Sequence, residues 1–384
     1  MKTPEPKPRR FWRWFYELMR FPVGTFYRWK YQLQGENSQI AWDHRGPALI
    51  IPNHVTIPDP FLVSLFFRIP IAWVASDANF RNKTMAFLLS LVGTIPIAKR
   101  MGDTSTIKDM MMTLKSGKGV GIFGEGERTW DGNTLPLLPA TYKLIRMAKV
   151  PVFVPIIKGG YMALPRWANK PRRGPITIEI RQALNSQEAA TFSLEQITER
   201  MNQVFQHREE EYLTGKGFIY QSTELAQPIE LILFRCPQCG GYQTITSRGK
   251  TFSCTSCKAS WELTYTAVIT GTTSTTISQW LEQQRQAMAS DKSSAPPNEI
   301  IFSDDNVDIW TGYRDNPMKP LGKGRVGVSP SGMYILDQFH EWNQIKSMNV
   351  VFQNQVDFYV NDTLYSLKLT TTSGYKYQEF FRLI

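Results

Sequence analysis

The 384-residue sequence predicts an α/β fold in its first part, with a mixed sheet flanked by helices, and then two smaller modules. Short apolar runs that alternate with helical segments predict the sheet. Four cysteines in two close pairs mark a small module, and short strands separated by turns predict a small β-rich, barrel-like domain at the end. A chain of this length exceeds one ordinary domain, so two or three are expected.

In the first part, short apolar runs are typical of buried strands and separate segments with helical character. The predicted strands are 48–51, 72–75, 120–123, 152–157 and 176–180, and the predicted helices are 60–67, 104–116, 140–148 and 193–212. Asp59 before Pro60 is typical of a helix N-cap, and Ser193 with Gln196 forms a capping-box pattern. Functional loops in such sheets follow the carboxyl ends of the strands.

Beyond the sheet-forming part, the predicted strands are 324–328, 333–336, 345–352, 356–360 and 364–369, and a terminal helix is predicted at 375–383. This series resembles a small pleckstrin-homology-like barrel. The composition of 289–298 is typical of a linker. We expect segments at 1–35 (basic, aromatic, membrane-interface), 36–215 (mixed sheet), 228–270 (cysteine module), 275–300 (helix and linker) and 301–384 (β-rich domain).

Basic residues outnumber acidic ones by 44 to 33, which gives a formal net charge of +11. Residues 1–30 hold eight basic and two acidic residues, a net +6, interleaved with aromatic side chains. A basic, aromatic, helical segment is typical of a membrane interface, so we expect an anionic phospholipid surface as a partner. The alternative is a helix packed on the domain whose basic residues are merely solvated.

The sequence shows no signal peptide and no transmembrane helix. The N-terminal segment is interrupted by charge throughout and lacks an apolar core with a cleavage site. The longest apolar stretches, 60–67 and 86–98, fall short of the roughly 20 residues that a bilayer demands. We therefore expect a peripheral protein on the cytoplasmic face of a membrane.

Asn53-His54, followed by Asp59, is the first candidate for chemistry. A neutral hydroxyl is a poor nucleophile, and an imidazole titrates close enough to neutral pH to take its proton. A carboxylate on the other ring nitrogen fixes the tautomer and stabilises the protonated ring. Of the four histidines, only His54 has an aspartate five residues on. A surface histidine beside a capping aspartate is the alternative.

The segment 123–129, with the sequence Phe-Gly-Glu-Gly-Glu-Arg-Thr, follows a predicted strand and is the second candidate. Its glycines permit a tight turn and close approach of a ligand. Arg128 can bind a phosphate through two N–H groups, and Glu125 can accept hydrogen bonds from a polyol or orient Arg128. A charged surface turn is the alternative.

Together, Asn-His-x-x-x-x-Asp and Phe-x-Glu-Gly-x-Arg resemble motifs of the glycerophospholipid acyltransferase family, typified by 1-acyl-sn-glycerol-3-phosphate acyltransferases. Segment 93–100, Gly-Thr-Ile-Pro-Ile-Ala-Lys-Arg, resembles the family's second block, and segment 150–156, Val-Pro-Val-Phe-Val-Pro-Ile, its fourth. Four blocks in the family's order are a specific signal, which covers roughly residues 45–185.

The resemblance implies an acyltransferase fold that moves a fatty acyl group from acyl-CoA or acyl-carrier protein to the free hydroxyl of a lysophospholipid. The first expected acceptor is 1-acyl-sn-glycerol-3-phosphate, which would give phosphatidic acid. By the same resemblance, His54 is the general base and Asp59 its partner. The residues expected to bind substrate are Asn53, Arg100, Glu125, Gly126 and Arg128.

The third block departs from the family's usual Phe-Pro-Glu-Gly-Thr-Arg-Ser, because this chain has Gly124, Glu127 and Thr129 in place of Pro, Thr and Ser. An inward-pointing Glu127 would weaken phosphate binding by adding like charge to the site. An acyltransferase for another lipid or hydroxyl acceptor is therefore one alternative. A non-catalytic membrane-binding scaffold on the same fold is another.

All four cysteines lie in two Cys-x-x-Cys pairs, Cys236 with Cys239 and Cys254 with Cys257. Each pair can turn two thiolates onto one metal ion, and four thiolates close a tetrahedral zinc site. The module thus resembles a zinc ribbon with a structural zinc, and two disulfides are the alternative. Few basic residues accompany the cysteines, so nucleic-acid binding is not expected.

Overall fold

The structure is a computed structural model that describes residues 13–76, 80, 83–97, 104–313 and 318–384. The chain divides into two compact units. Unit 1 runs over Met1–Pro165 and Arg172–Tyr220, and unit 2 over Arg166–Pro171 and Gln221–Ile384. The finer division into five segments stays a prediction.

Unit 1 alternates short strands and helices, as the apolar runs predict. Its strands are β1 (Gln34–Glu36), β2 (Ala48–Ile50), β3 (Ile71–Ser76), β4 (Ile95–Ile97), β5 (Gly119–Gly121), β6 (Val152–Lys158) and β7 (Thr177–Leu184). Its helices are α1 (Arg13–Tyr31), α2 (Ser38–Asp43), α3 (Asp59–Ser64), α4 (Lys83–Leu91), α5 (Thr104–Lys115), α6 (Pro139–Ala148), α7 (Gly160–Ala163), α8 (Ser186–Thr191), α9 (Leu194–Phe205) and α10 (Glu209–Leu213).

Among the described residues, the strands of unit 1 form one mixed sheet in the order β1-β7-β6-β2-β5-β3-β4. Strands β6, β2, β5, β3 and β4 are parallel, and β7 is antiparallel to β6. The predicted mixed α/β sheet flanked by helices is confirmed.

The apolar core of unit 1 joins the central strands to the helices packed against them. Core side chains lie on β2, β5 and β6, on the described part of α5, and on α6 and α9: Leu49, Val120, Val152, Val154, Met110, Leu114, Leu144, Ile145, Ile197, Met201 and Phe205. Strands β2 and β5 are parallel neighbours, with Leu49 opposite Val120. Their carboxyl ends therefore carry the loops 51–58 and 122–129 to one edge of the sheet.

Helix α1 forms in the basic, aromatic segment, whose first twelve residues lie outside the described ranges. The Arg20 guanidinium donates to the Leu65 carbonyl at 2.6 Å, which ties α1 to the end of α3. Several large apolar side chains of α1 remain exposed: Trp14, Leu18, Phe21, Phe26 and Trp29. Within the part of the chain that the structure describes, no helix combines the length and the apolar character needed to cross a membrane.

Two sequence predictions in unit 1 were wrong in detail. The predicted continuous helix 193–212 breaks after α9, because the backbone N–H and C=O of His207 form hydrogen bonds with Thr134 instead. Asp59 does not cap α3 with its side chain; it is the first residue of the helix and its carboxylate serves the preceding loop.

The described residues of unit 2 form two antiparallel sheets. The first has the order β12-β11-β10-β9-β8, and its strands are β8 (Ile245–Arg248), β9 (Thr251–Cys254), β10 (Ser260–Leu263), β11 (Val268–Gly271) and β12 (Thr275–Thr276). The second is a curled half-barrel in the order β16-β15-β14-β13-β19-β18-β17, which confirms the predicted β-rich, barrel-like domain. Its strands are β13 (Phe302–Tyr313), β14 (Lys319–Val328), β15 (Gly332–Ile335), β16 (Gln338–Glu341), β17 (Ile345–Val351), β18 (Gln355–Val360) and β19 (Thr363–Lys368).

Helix α11 (Ile277–Ser294) follows the first sheet, and α12 (Tyr375–Phe381) follows the second. The predicted linker over 289–298 was wrong up to Ser294, because α11 continues through it. Asp291, in this stretch, accepts hydrogen bonds from the Arg235 guanidinium at 3.2 Å and from the Tyr242 hydroxyl at 2.7 Å. Those side-chain bonds and the buried Met288 hold the last turns in place.

Candidate active site

His54 and Asp59, which the sequence predicts to act together, are in direct contact. His54 Nδ1 lies 2.9 Å from Asp59 Oδ2. The Asp59 side chain is fully buried, whereas 22% of the His54 side chain is exposed. A carboxylate in this position fixes the ring orientation and stabilises the protonated imidazole.

The Asp59 carboxylate also holds the backbone of the loop that carries His54. Its Oδ2 accepts the N–H groups of Val55 at 2.7 Å and Thr56 at 2.8 Å. Its Oδ1 accepts the Thr56 hydroxyl. A buried carboxylate is costly unless donors surround it, and here the donors are the loop itself. The same group therefore shapes the loop and orients the imidazole.

Asn53 anchors the loop to the neighbouring strand. Its side-chain oxygen accepts the Ile157 N–H at 2.7 Å, and its amide group donates to the Ile157 carbonyl at 3.2 Å. Both ends of the amide are thus used by β6, and the side chain is buried. The predicted contact of Asn53 with substrate stays a prediction beside this anchoring role.

Glu125 binds the peptide of His54. One carboxylate oxygen accepts the His54 N–H at 2.5 Å, and the other accepts the Leu135 N–H at 2.6 Å. Burial raises the pKa of Glu125 well above its ordinary value, and the charges of Asp59 and Glu127 act in the same direction. Its predicted contact with the acceptor stays a prediction.

The carbonyl of His54 is held as well, because it accepts the N–H of Thr129 at 2.9 Å. Thr129 is the last residue of the segment 123–129. This one loop therefore forms hydrogen bonds to both the N–H and the carbonyl of His54. The candidate base is therefore fixed through its backbone as well as through its ring.

An aromatic stack lies behind the imidazole. The His54 ring stacks on Phe123 with 3.9 Å between ring centroids, and Phe123 stacks on Trp73 at 5.2 Å. Gly121 makes room for this stack, because a Cβ there would lie 2.4 Å from the Trp73 ring. The stack limits the ring of His54 to a narrow range of orientations.

The remaining predicted residues of the third block lie on the same loop. Gly126 has a φ of +79°, a conformation that favours glycine. Gly124 is close-packed, since a Cβ there would lie 2.8 Å from Leu137 Cδ2 and 2.9 Å from Thr141 Cγ2. Arg128 is half-buried; burial lowers its pKa and the Asp59 charge opposes that shift. Arg100 lies outside the described residues, so its predicted contact stays a prediction.

Residues 31–158 match the family model described as Acyltransferase. The matched region spans a third of the chain. No curated protein has a matching sequence. Among solved structures, the chain is similar to the 1-acyl-sn-glycerophosphate (LPA) acyltransferase PlsC from Thermotoga maritima, at 18% identity, over 52% of this chain and 79% of that chain, with a TM-score of 0.45.

The region that matches the Acyltransferase model contains the His54–Asp59 pair and the segment 123–129. Sequence reasoning missed several residues that support the pair. The Thr56 hydroxyl donates to Asp59, Trp73 extends the aromatic stack, and Leu135 binds Glu125. Thr56 lies within the first motif and could have been noticed there, whereas Trp73 and Leu135 have no sequence signal of their own.

In unit 2, the four cysteines converge on one point. Their Sγ atoms all lie within 4.8 Å of one another, and the cluster could hold a metal ion. Cys236 and Cys254 are buried, while Cys239 and Cys257 are exposed. Cys254 ends β9, and Cys236 is held by a turn in which its N–H donates to the Gly241 carbonyl at 2.9 Å.

We expect the raised pKa of Glu125 to make the stability of the protein depend on pH. Because the folded pKa exceeds the ordinary value of 4.5, the folded state keeps a proton that the unfolded chain has released. This contribution to the free energy of unfolding is fully present below pH 4.5 and is lost as pH rises through the folded pKa. Glu125→Gln should therefore show a smaller decline between pH 4.5 and neutral pH in urea unfolding.

The control is Glu211→Gln, which changes an exposed glutamate of the same unit. It should follow the pH dependence of the unaltered protein. If Glu125→Gln also follows it, the protonated state assigned to Glu125 is wrong.

Proposed function

We propose that this protein is a peripheral membrane O-acyltransferase that acylates the free hydroxyl of a lysophospholipid. The donor is an acyl thioester of coenzyme A or acyl-carrier protein, and the first acceptor to consider is 1-acyl-sn-glycerol-3-phosphate, which yields phosphatidic acid. The observation that carries the proposal is the His54–Asp59 contact inside a region that matches the Acyltransferase family model.

In the proposed reaction, His54 acts as the general base. Nδ1 is engaged by Asp59, so proton exchange with the acceptor falls to Nε2. Nε2 takes the hydroxyl proton as the oxygen attacks the thioester carbonyl. The tetrahedral intermediate then collapses, the C–S bond breaks, and the thiolate takes the proton back from the imidazolium. Asp59 stabilises the imidazolium between these two steps.

Arg128 supports an anionic acceptor, because a guanidinium can pair with a phosphate through two N–H groups. An inward-pointing Glu127 on the same loop would oppose a dianionic headgroup and favour an acceptor with less negative charge. A panel of lysophospholipids that differ in headgroup charge therefore decides the acceptor, and the reaction at the hydroxyl is the same for each.

The exposed apolar side chains of α1 support binding to a membrane surface. Trp14, Phe21 and Trp29 are 61%, 80% and 70% exposed, and basic residues such as Arg28 and Lys30 lie on the same helix. Rings at headgroup depth and cations beside anionic lipid are the features of interfacial helices. Both the acceptor and the product are lipids, so a membrane-bound site would meet them where they reside.

For the four cysteines we propose a structural zinc. The Sγ atoms of Cys236 and Cys257 are 3.7 Å apart, as are those of Cys239 and Cys254. A tetrahedron with Zn–S bonds of about 2.3 Å has edges of roughly 3.8 Å, which fits. Because four protein sulfurs would fill the coordination sphere, such a zinc would stabilise the fold of unit 2 and leave no position for a substrate.

The first test is acyl transfer by the purified full-length protein on vesicles, with coenzyme A and carrier-protein thioesters. We expect His54→Ala to lower kcat by roughly 10²- to 10⁴-fold, because the general base is lost. The matched control is His44→Ala, which changes another half-buried histidine of unit 1, one whose ring lies near Phe153.

Retained transfer in His54→Ala would refute the assignment of the base. Transfer only to an acceptor other than 1-acyl-sn-glycerol-3-phosphate would keep the mechanism and change the acceptor. Vesicle binding without transfer to any acceptor would favour the non-catalytic scaffold.

Phe21→Ser should weaken binding to anionic vesicles by roughly tenfold or more, because a phenylalanine side chain no longer enters the interface. Co-sedimentation with vesicles of increasing phosphatidylglycerol content measures the effect. The matched control is Phe352→Ser in unit 2, where the side chain is 72% exposed. Equal binding by both variants would contradict the role given to α1.

Protein purified without chelator should contain one zinc per chain, measured by inductively coupled plasma mass spectrometry. Removal of the metal should unfold the cysteine module, since the binding energy of such sites stabilises the fold directly. An intact mass four hydrogens lower, with no metal, would show two disulfides instead.

A further inference from the structure

A second histidine–carboxylate pair, with both residues buried, lies in unit 1 at the break between α9 and α10. His207 Nε2 is 2.8 Å from Glu209 Oε2, and the two residues are only 7% and 2% exposed. Burying two such polar groups is costly, so the pair must be bonded to its surroundings to persist. The segments to which this pair is bonded also contact the His54 loop of the candidate active site.

The pair binds a segment that we call the strap, residues 129–135. The His207 N–H donates to the Thr134 hydroxyl oxygen at 3.1 Å, and the Thr134 N–H donates to the His207 carbonyl at 3.0 Å. The Glu209 N–H donates to Asn133 Oδ1 at 3.1 Å. These bonds take the backbone of His207 out of the helix that the sequence predicts for 193–212.

Both ends of the strap reach His54. At its start, the Thr129 N–H donates to the His54 carbonyl at 2.9 Å. At its end, the Leu135 N–H holds one oxygen of Glu125, whose other oxygen accepts the His54 N–H. The position of the strap therefore sets the orientation of the His54 peptide from both sides.

Glu209 also holds the end of the strand to which Asn53 is anchored. Its Oε2 accepts the Gly159 N–H at 3.1 Å, just after the Ile157 backbone groups that bind Asn53. Gly132 of the strap packs against the same residue, because a Cβ there would lie 2.8 Å from Glu209 Cβ. Glu209 thus contacts both structures that flank the His54 loop: its carboxylate binds the end of β6, and its backbone N–H and Cβ contact the strap.

We propose that His207 and Glu209 are positioning residues for His54. They do not touch the reacting atoms; they fix the strap and the end of β6, and through these the peptide of the base. The inference rests on the proposed acyl transfer for its kinetic consequence, whereas its structural consequence at His54 can be measured without substrate.

The first test compares Glu209→Gln with Glu211→Gln in the full-length protein on vesicles. Glu211 lies on the same helix, but its side chain is exposed. Glu209→Gln should lower kcat by roughly 10- to 100-fold with KM nearly unchanged, because a small misplacement of the base affects the chemical step and not the binding of substrate. Glu211→Gln should keep both constants.

A second variant guards against loss of folding in Glu209→Gln. Thr134→Val removes the hydroxyl that binds His207 but keeps the shape of the side chain, and Thr198→Val on α9 removes a hydroxyl that donates to the Leu194 carbonyl of its own helix. Thr134→Val should lower kcat with little change in KM, and Thr198→Val should not.

A measurement without substrate separates this inference from the proposed function. In the four-histidine chain, the ring resonance of His54 can be assigned by its loss in His54→Ala and then followed by NMR. The resonance and its titration should move in Glu209→Gln and Thr134→Val but not in their controls. Unmoved resonances in a folded variant, or kcat within twofold of its control, would overturn the positioning role. Transfer absent in the unaltered protein would refute the proposed function alone.

Discussion

The buried Asp59 carboxylate is the group around which the candidate site is arranged. A negative charge without access to water is tolerated only where donors replace its hydration, and the loop from Val55 to Thr56 supplies three of them. The fourth is the His54 ring. The conformation of the loop and the orientation of the imidazole are therefore coupled. The loop cannot change its conformation without removing hydrogen-bond donors from the Asp59 carboxylate, which orients the imidazole.

The site also depends on the order of the strands in the sheet. Because β2 and β5 are parallel neighbours, the loops that leave their carboxyl ends run side by side, and hydrogen bonds join them at His54 and Glu125. Most of the hydrogen bonds between these two loops involve a backbone N–H or C=O group. Such an arrangement is stiff, and it leaves little reorganisation to be done when a substrate binds.

Contacts between residues close in sequence were predictable, and contacts between distant ones were not. The His54–Asp59 pair and the cysteine cluster follow from the spacing of residue types that need one another chemically. The helix break at His207 depends on Thr134, 73 residues away, and no local capping pattern predicts it. Likewise, Glu125 was predicted from its motif as a contact for the acceptor, yet its bonds to two backbone N–H groups depend on how distant loops pack.

Gly124, one of the departures in the third block, fits the side chains packed around it. The space that the ring of a proline would need at this position is filled by the buried side chains of Leu137 and Thr141. A proline at position 124 would therefore collide with these side chains unless one of them became smaller at the same time. Positions 124, 137 and 141 therefore form one packing unit, in which a larger residue at 124 requires a smaller one at 137 or 141.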